Sequence, residues 1–279
     1  MRNIKDTQII NCVKDMCIRA NCCLNPDISN ALVASIKMEK SEVGKDILGQ
    51  LIQNAKIAEN EMIPICQDTG MVICFVEIGQ EVFVEGSLEN AINEGVRQGY
   101  KEGFLRKSIV SDPLLRCNTG DNTPAVIHYE IVSGDKLKIS IAPKGFGSEN
   151  MSAIKMLKPS DGVDGIIDFV VETCSNAGPN PCPPIVVGVG IGGSMEKAAL
   201  LAKKSLLRDI NLHNILPHIA KLEVLLLEKI NKLGIGPSGL GGKVTALGVN
   251  VDVYPTHIAG LPVAVNISCH ATRHVEQEI

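Results

Sequence analysis

The chain has 279 residues, 45% of them hydrophobic, and a mean hydropathy of +0.16, enough for one large domain or two small ones with a substantial core. Aromatic residues make up 3% and Trp is absent, so that core must come from Ile, Val, Leu, Ala and Met. A net charge of -4 and few stacking platforms argue against a nucleic-acid partner.

No stretch approaches the length of uncharged apolar sequence that spans a bilayer, and the N-terminal MRNIKDTQII has no apolar signal region. A cytoplasmic protein without a membrane partner is expected. Its ten cysteines are then not a disulfide framework, and no CxxC pair marks a zinc site.

In chain order, Ile9, Ile10, Val13, Cys17 and Ala20 predict a helix over 6–23. Cys12, Cys17, Cys22 and Cys23 read there as small packing residues. Asp27 is placed to cap a helix over 28–39, and Ser41 opens a third over 42–60. This helical lead-in ends at Pro64-Ile65-Cys66-Gln67-Asp68-Thr69-Gly70. There a proline and a glycine bracket a thiol, an amide and a carboxylate, a combination that suggests chemistry more than packing.

Strands are expected at Met71–Ile78, with Cys74 in the core, and at Val82–Val84, then a helix over 88–101. The polar connection from Arg106 to Pro124 is rich in turn formers and of a length that is usually functional or disordered, its arginines reading equally as solvated surface charge. It carries Arg106, Arg116 and Cys117, the last a competing ligand on local grounds. Val126–Val132 and Lys136–Ala142 alternate around Ser133-Gly134-Asp135, which predicts a hairpin with His128 half-exposed.

KGFGSEN (144–150) follows, its glycines allowing backbone N–H groups to approach an anion, although a plain strand-to-helix turn reads equally well. A helix over 161–176 leads to Gly178-Pro179-Asn180-Pro181-Cys182-Pro183-Pro184. Four prolines fix Cys182 on a stiff loop, which favours a ligand over a packing residue. A strand at Ile185–Ile191 and a helix over 195–207 enclose Gly188, Gly190 and Gly193, a G-x-G-x-x-G pattern that could open a dinucleotide site. The acidic partner that such a site needs is not evident. A helix at Pro217–Leu233, a glycine-rich stretch and strands at Lys243–Val253 and Leu261–Ser268 complete the chain and deliver Cys269.

Cys66, Cys182 and Cys269 thus sit at breaks in regular structure. Three thiolates from distant loops suit an iron–sulfur cluster better than structural zinc, and a cube held by three ligands leaves one iron open as a Lewis acid. The fold expected is mixed α/β (α+β): a single domain over 1–279, with a helical N-terminal layer at 1–60 and a cluster-binding core at 61–279. That core has two β-sheet regions flanked by helices, with the ligands on loops.

The motifs PICQDTG (64–70), NTGDN (118–122), KGFGSEN (144–150), NPCPPIVVGVGIGG (180–193) and HIAGLPVAVNISCHATR (257–273) resemble, in the same order, the class I iron–sulfur fumarate hydratase family. The match is to its separate α subunit, the N-terminal domain of single-chain forms, and L(+)-tartrate dehydratase α subunits are close relatives.

The resemblance implies a [4Fe-4S] cluster on Cys66, Cys182 and Cys269, which demotes Cys117. It implies dicarboxylate binding by Gln67, Asp68, Arg106 and Gly147, and catalytic roles for Asp68 and His257. Phe146 departs from the glycine of many relatives and puts Gly147 in question. The implied reaction is reversible hydration of fumarate to L-malate in the tricarboxylic acid cycle. One arginine is little for a dianion, so a β subunit, in an α2β2 assembly, is expected to complete the site. The alternative within the class is dehydration of L(+)-tartrate to oxaloacetate; the remote one is dinucleotide binding.

Overall fold

In a computed structural model that describes residues 2–279, the periodicities of the sequence become a mixed α/β fold. In chain order the elements are β1 (Arg2–Lys5), α1 (Asp6–Cys22), α2 (Pro26–Met38), α3 (Glu42–Glu61), β2 (Met71–Gly79), β3 (Val82–Glu85), α4 (Leu88–Glu102), β4 (Val126–Val132) and β5 (Leu137–Lys144). There follow α5 (Phe146–Glu149), β6 (Ala153–Leu157), α6 (Gly162–Ala177), β7 (Ile185–Gly192), α7 (Met195–Ser205), α8 (Pro217–Asn231), β8 (Ala246–Tyr254), β9 (Leu261–Ser268) and β10 (Val275–Glu278).

The chain divides into two compact units. One holds the chain up to Leu24, Asn54–Phe146 and Arg273–Ile279; the other holds Asn25–Gln53 and Gly147–Thr272. The three N-terminal helices are therefore shared: α1 belongs to the first unit, α2 to the second, and α3 starts in the second and ends in the first. Among the described residues, no helix is long and apolar enough to cross a membrane.

The first unit is built on a sheet of order β10-β5-β2-β4. Val72–Val76 is buried at every position, which suits the centre of a sheet. Val72, Cys74, Val76, Leu137, Ile139 and Ile141 form one core with Ile9, Val13 and Cys17 of α1 and Ile92, Val96 and Tyr100 of α4. The small pair β1 and β3 runs parallel beside it.

The hairpin expected at 133–135 does not form. β2 lies between the two strands, parallel to β4 and antiparallel to β5. The connecting turn instead passes over the end of β2. There Glu81 donates its N–H to the Gly134 carbonyl at 3.0 Å, and a Cβ on Gly79 would lie 2.3 Å from that same oxygen. The local turn signal is real, but an apolar strand that needs cover on both faces takes the place between its neighbours.

The second unit has the sheet order β6-β9-β7-β8. All eight residues of β7 are buried, so it is covered on both faces. Val187 and Val189 share a core with Ile167 and Val170 of α6 and Leu222 and Leu226 of α8. On the other face α7 comes very close: a Cβ on Gly188 would lie 2.1 Å from the Ala202 carbonyl oxygen, and one on Gly190 2.0 Å from that of Ala198. These two glycines of the G-x-G-x-x-G pattern are thus filled by helix packing.

Local capping follows the sequence in part. Ser41 Oγ accepts the Gly44 N–H at 3.2 Å, as an N-cap should. Asp27 does not cap α2. Pro26 occupies its first turn, and the Asp27 carboxylate accepts the Ile210 N–H at 3.0 Å.

Candidate active site

The turn Cys66–Gly70 is fixed from several sides within the first unit. The Asp68 carboxylate accepts the Gly70 N–H at 3.0 Å through one oxygen and the Phe146 N–H at 2.9 Å through the other. Its carbonyl accepts from the Arg273 guanidinium at 2.7 Å. The buried Tyr100 hydroxyl donates to the Thr69 carbonyl at 2.7 Å and lies 3.0 Å from that of Gly70, which also accepts from the Asn122 amide at 3.2 Å. Thr69 in turn donates its hydroxyl to the Arg106 carbonyl at 3.1 Å.

The structure therefore brings Cys66, Gln67, Asp68 and Arg106 to one place, with Gln67 and Arg106 exposed and Cys66 and Asp68 half-buried. Gly70 has φ +77, and a Cβ there would lie 2.7 Å from the Lys144 backbone. That close approach lays the start of the 144–150 loop against this turn.

In the second unit, strand register does the positioning. Val186 of β7 pairs with Ser268 of antiparallel β9, so the chain entering β7 lies beside the chain leaving β9. Cys182 and Cys269 are those flanking residues. The Cys182 carbonyl is 3.0 Å from His270 Nδ1 and accepts the His270 N–H at 3.4 Å. Cys182 is exposed with φ +54, and Cys269 is half-buried. β6 pairs antiparallel to β9 with Ala153 opposite Val265, which brings Gly147 to this same end, where a Cβ on it would lie 3.8 Å from the Asn180 carbonyl oxygen.

His257 is at the other end. β7 and β8 run parallel with Gly192 opposite Tyr254, and Thr256 donates its hydroxyl to the Gly193 carbonyl at 2.9 Å. At ~3.3 Å per residue, the length of β7 puts about 25 Å between His257 and the cysteine end.

The thiols separate by environment. Burial pushes Cys12 up to about 11 and Cys74 and Cys174 up to about 12, and it raises Cys17, Cys22 and Cys23 as well. A soft metal binds the thiolate, which these sites disfavour. Among the described residues, no disulfide joins any of the cysteines. Cys117 is exposed in the 106–124 connection, where its carbonyl accepts the Ser111 N–H at 2.7 Å. Cys182, exposed, and Cys269, half-buried, lie on adjoining loops and carry the thiol donors that iron–sulfur ligation uses. Among the described residues, no three or more His, Cys, Asp and Glu side chains are gathered into a metal-holding group.

Residues that sequence reasoning did not single out do much of the holding. Arg273, 5% exposed, Tyr100 and Asn122 grip the 66–70 turn, and His270 grips Cys182. Asn122, His270 and Arg273 lie inside NTGDN and HIAGLPVAVNISCHATR, so those motifs carried the signal. Tyr100 had only its place on a helix.

A sequence model of the family described as fumarate hydratase (fumerase) matches residues 10–278. A Methanocaldococcus jannaschii protein, provisionally named L(+)-tartrate dehydratase subunit alpha, is 47% identical over 92% of this chain and 92% of its own length. L(+)-tartrate dehydratase subunits alpha from Escherichia coli K12 and Shigella sonnei are each 35% identical over 88% of this chain and 82% of their own. The chain belongs to the fumarate hydratase family, a family of hydro-lyases.

Proposed function

We propose that this chain is the α subunit of a hydro-lyase that reversibly hydrates fumarate to L-malate, with Cys66, Cys182 and Cys269 as the ligands of a [4Fe-4S] cluster. The observation that carries the reading is the β7–β9 register, which sets the Cys182 and Cys269 loops side by side and joins them through His270. Such a cluster, when bound, supplies a Lewis acid for the hydroxyl and one carboxylate oxygen of the diacid.

The chain's own residues bind and orient. Arg106, exposed beside the 66–70 turn, can take a carboxylate in bidentate fashion, and Gln67 can donate to it. Gly147 leaves room for a substrate oxygen beside Asn180. Both oxygens of Asp68 already accept backbone N–H groups, so its first task is to hold the 144–146 loop against the turn. A remaining lone pair can still orient a proton.

The proton removed lies next to a carboxylate and is weakly acidic, so a positioned base is required. His257 is too far from Cys182 to serve it within one copy. Its role is therefore toward the centre of another copy, which the proposed α2β2 assembly supplies. The β subunit adds further basic groups for the dianion, in keeping with relatives named alpha subunits.

The names of those relatives favour L(+)-tartrate as the second reading. The experiment is anaerobic reconstitution of the chain with its β subunit, followed by assays of both diacids. Faster turnover of fumarate supports the first reading and faster turnover of L(+)-tartrate the second. Full activity of the chain alone sinks the α-subunit reading.

A further inference from the structure

Glu39 lies at the end of α2, outside every candidate-site motif, and is 2% exposed. A buried carboxylate needs partners for its charge. Glu39 finds them in backbone N–H groups alone. Lys40 donates at 2.7 Å and Ser41 at 2.9 Å from the next turn; Lys243 donates at 2.9 Å and Val244 at 2.8 Å from more than two hundred residues away. Burial works against the charge, but these donors outweigh it and hold the carboxyl below its usual range. Gly242, at φ +140, is glycine for the same reason: a Cβ there would lie 2.8 Å from the Glu39 oxygens.

What this carboxylate fastens is the end of the glycine-rich loop 234–242. The loop is closed on itself. Gly241 donates to the Ile235 carbonyl at 2.9 Å, and Gly236 donates to the Thr245 hydroxyl at 3.2 Å. Its other side grips the proline loop. Ser238, at φ +52, donates its N–H to the Pro183 carbonyl at 2.8 Å. A Cβ on Gly239 would lie 2.3 Å from Pro179 Cβ. Pro179 also accepts the Cys182 N–H at 3.0 Å. The two prolines gripped by the loop thus stand on either side of Cys182, whose own left-handed backbone is uphill for a residue with a Cβ and must be held by its surroundings.

We propose that Glu39 is a positioning residue for Cys182, acting through the 234–242 loop on Pro179 and Pro183 so that the thiol stays outward in a fixed pose. The proposal rests on the cluster reading for its function, but the mechanical link stands on geometry within one unit.

Glu39→Gln keeps the volume and replaces one acceptor oxygen with a donor that faces N–H groups. Gly239→Ala alters no partner of Glu39 but, at φ +75, strains the loop and presses on Pro179. For each variant we would measure amide hydrogen exchange at Ser238 in the cluster-free chain, and then visible absorbance and reduction potential per chain after anaerobic reconstitution with ferrous iron and sulfide.

The expected result for Glu39→Gln is exchange at Ser238 at least tenfold faster and cluster uptake reduced severalfold, with far-UV circular dichroism unchanged. Gly239→Ala should reproduce the uptake defect. Unchanged exchange overturns the link, and faster exchange with wild-type cluster content and potential overturns the positioning role. If Glu39→Gln does not fold, Glu39→Asp, which keeps the charge but shortens its reach to the Lys243 and Val244 N–H groups, takes its place with the same readouts. If wild-type chain takes up no cluster, the cluster reading fails, while the rate of alkylation at Cys182, mapped by mass against that at Cys117, decides whether Glu39 sets the thiol's pose. Equal ratios in wild type and variant overturn it.

Discussion

The two ends of the β6-β9-β7-β8 sheet were given the same role by the sequence motifs, yet they are built differently. At one end the register of β7 with β9 gathers Gly147, Cys182, Cys269 and His270, and the loops are bonded to one another. At the other end His257 stands exposed on the β8–β9 connection, its Nδ1 accepting the Ala259 N–H at 3.2 Å, with Ile258 beside it 92% exposed. A crowded, cross-braced end is what a preorganised centre requires. The other end is open and carries no such bracing of its histidine by a distant loop among the described residues. One linear motif, residues 257–273, therefore reaches both ends of the sheet, because β9 runs its length between them.

The sharpest way to break this comparison is at the braced end. Cys182→Ala or Cys269→Ala should abolish cluster uptake, measured as iron and sulfide per chain, and lower hydro-lyase turnover by at least about a thousandfold. His257→Asn should leave iron content at the wild-type level and lower kcat by about a hundredfold, as loss of an acid–base group does. Co-assembly of His257→Asn chains with Cys182→Ala chains should then regain activity that neither has alone. No regain would show that His257 does not serve the centre of another copy.

A third test concerns the sheet itself. Gly190→Ala puts a Cβ against the α7 backbone and should destabilise the chain by about 1–3 kcal/mol in urea denaturation. Isothermal titration should detect no NAD binding to the wild type, and a specific site would revive the dinucleotide reading.

The smallest effect belongs to the first unit. Asp121 accepts from the Thr123 N–H at 2.9 Å and hydroxyl at 2.8 Å and from Arg97 at 2.9 Å. Burial raises its carboxyl, but these donors outweigh that and hold it down at about 2. The folded state then binds fewer protons than the unfolded one, so the stabilisation is complete above about pH 4 and is lost as pH falls toward 2. Asp121→Asn should cost about 1 kcal/mol at pH 7, with the difference shrinking on acidification, by denaturation at a series of pH values.

What the sequence determined by itself was local. Apolar periodicity placed α1, α3, α4, β2, β7 and β9 within a residue or two, because burial of a stripe or a run is written into the residues that make it. It sorted the thiols only in part: of those read as packing residues, Cys17, Cys22, Cys74 and Cys174 are buried, but Cys12 and Cys23 are half-buried, as are Cys66 and Cys269 at their breaks. The short strands β1, β6 and β10 were not legible, since four or five residues carry too little pattern and their pairing comes from distant partners.

What tertiary structure decided was every non-local choice. β2 displaced a hairpin that its own turn residues advertised. α7 filled two glycines that read as a nucleotide loop. β9 carried Cys269 to the Cys182 loop while it left His257 at the far end. Glu39 reached across more than two hundred residues to hold the frame of one cysteine. The reason is the same in each case: a motif records which residues are needed, but strand order and register determine which of them can meet.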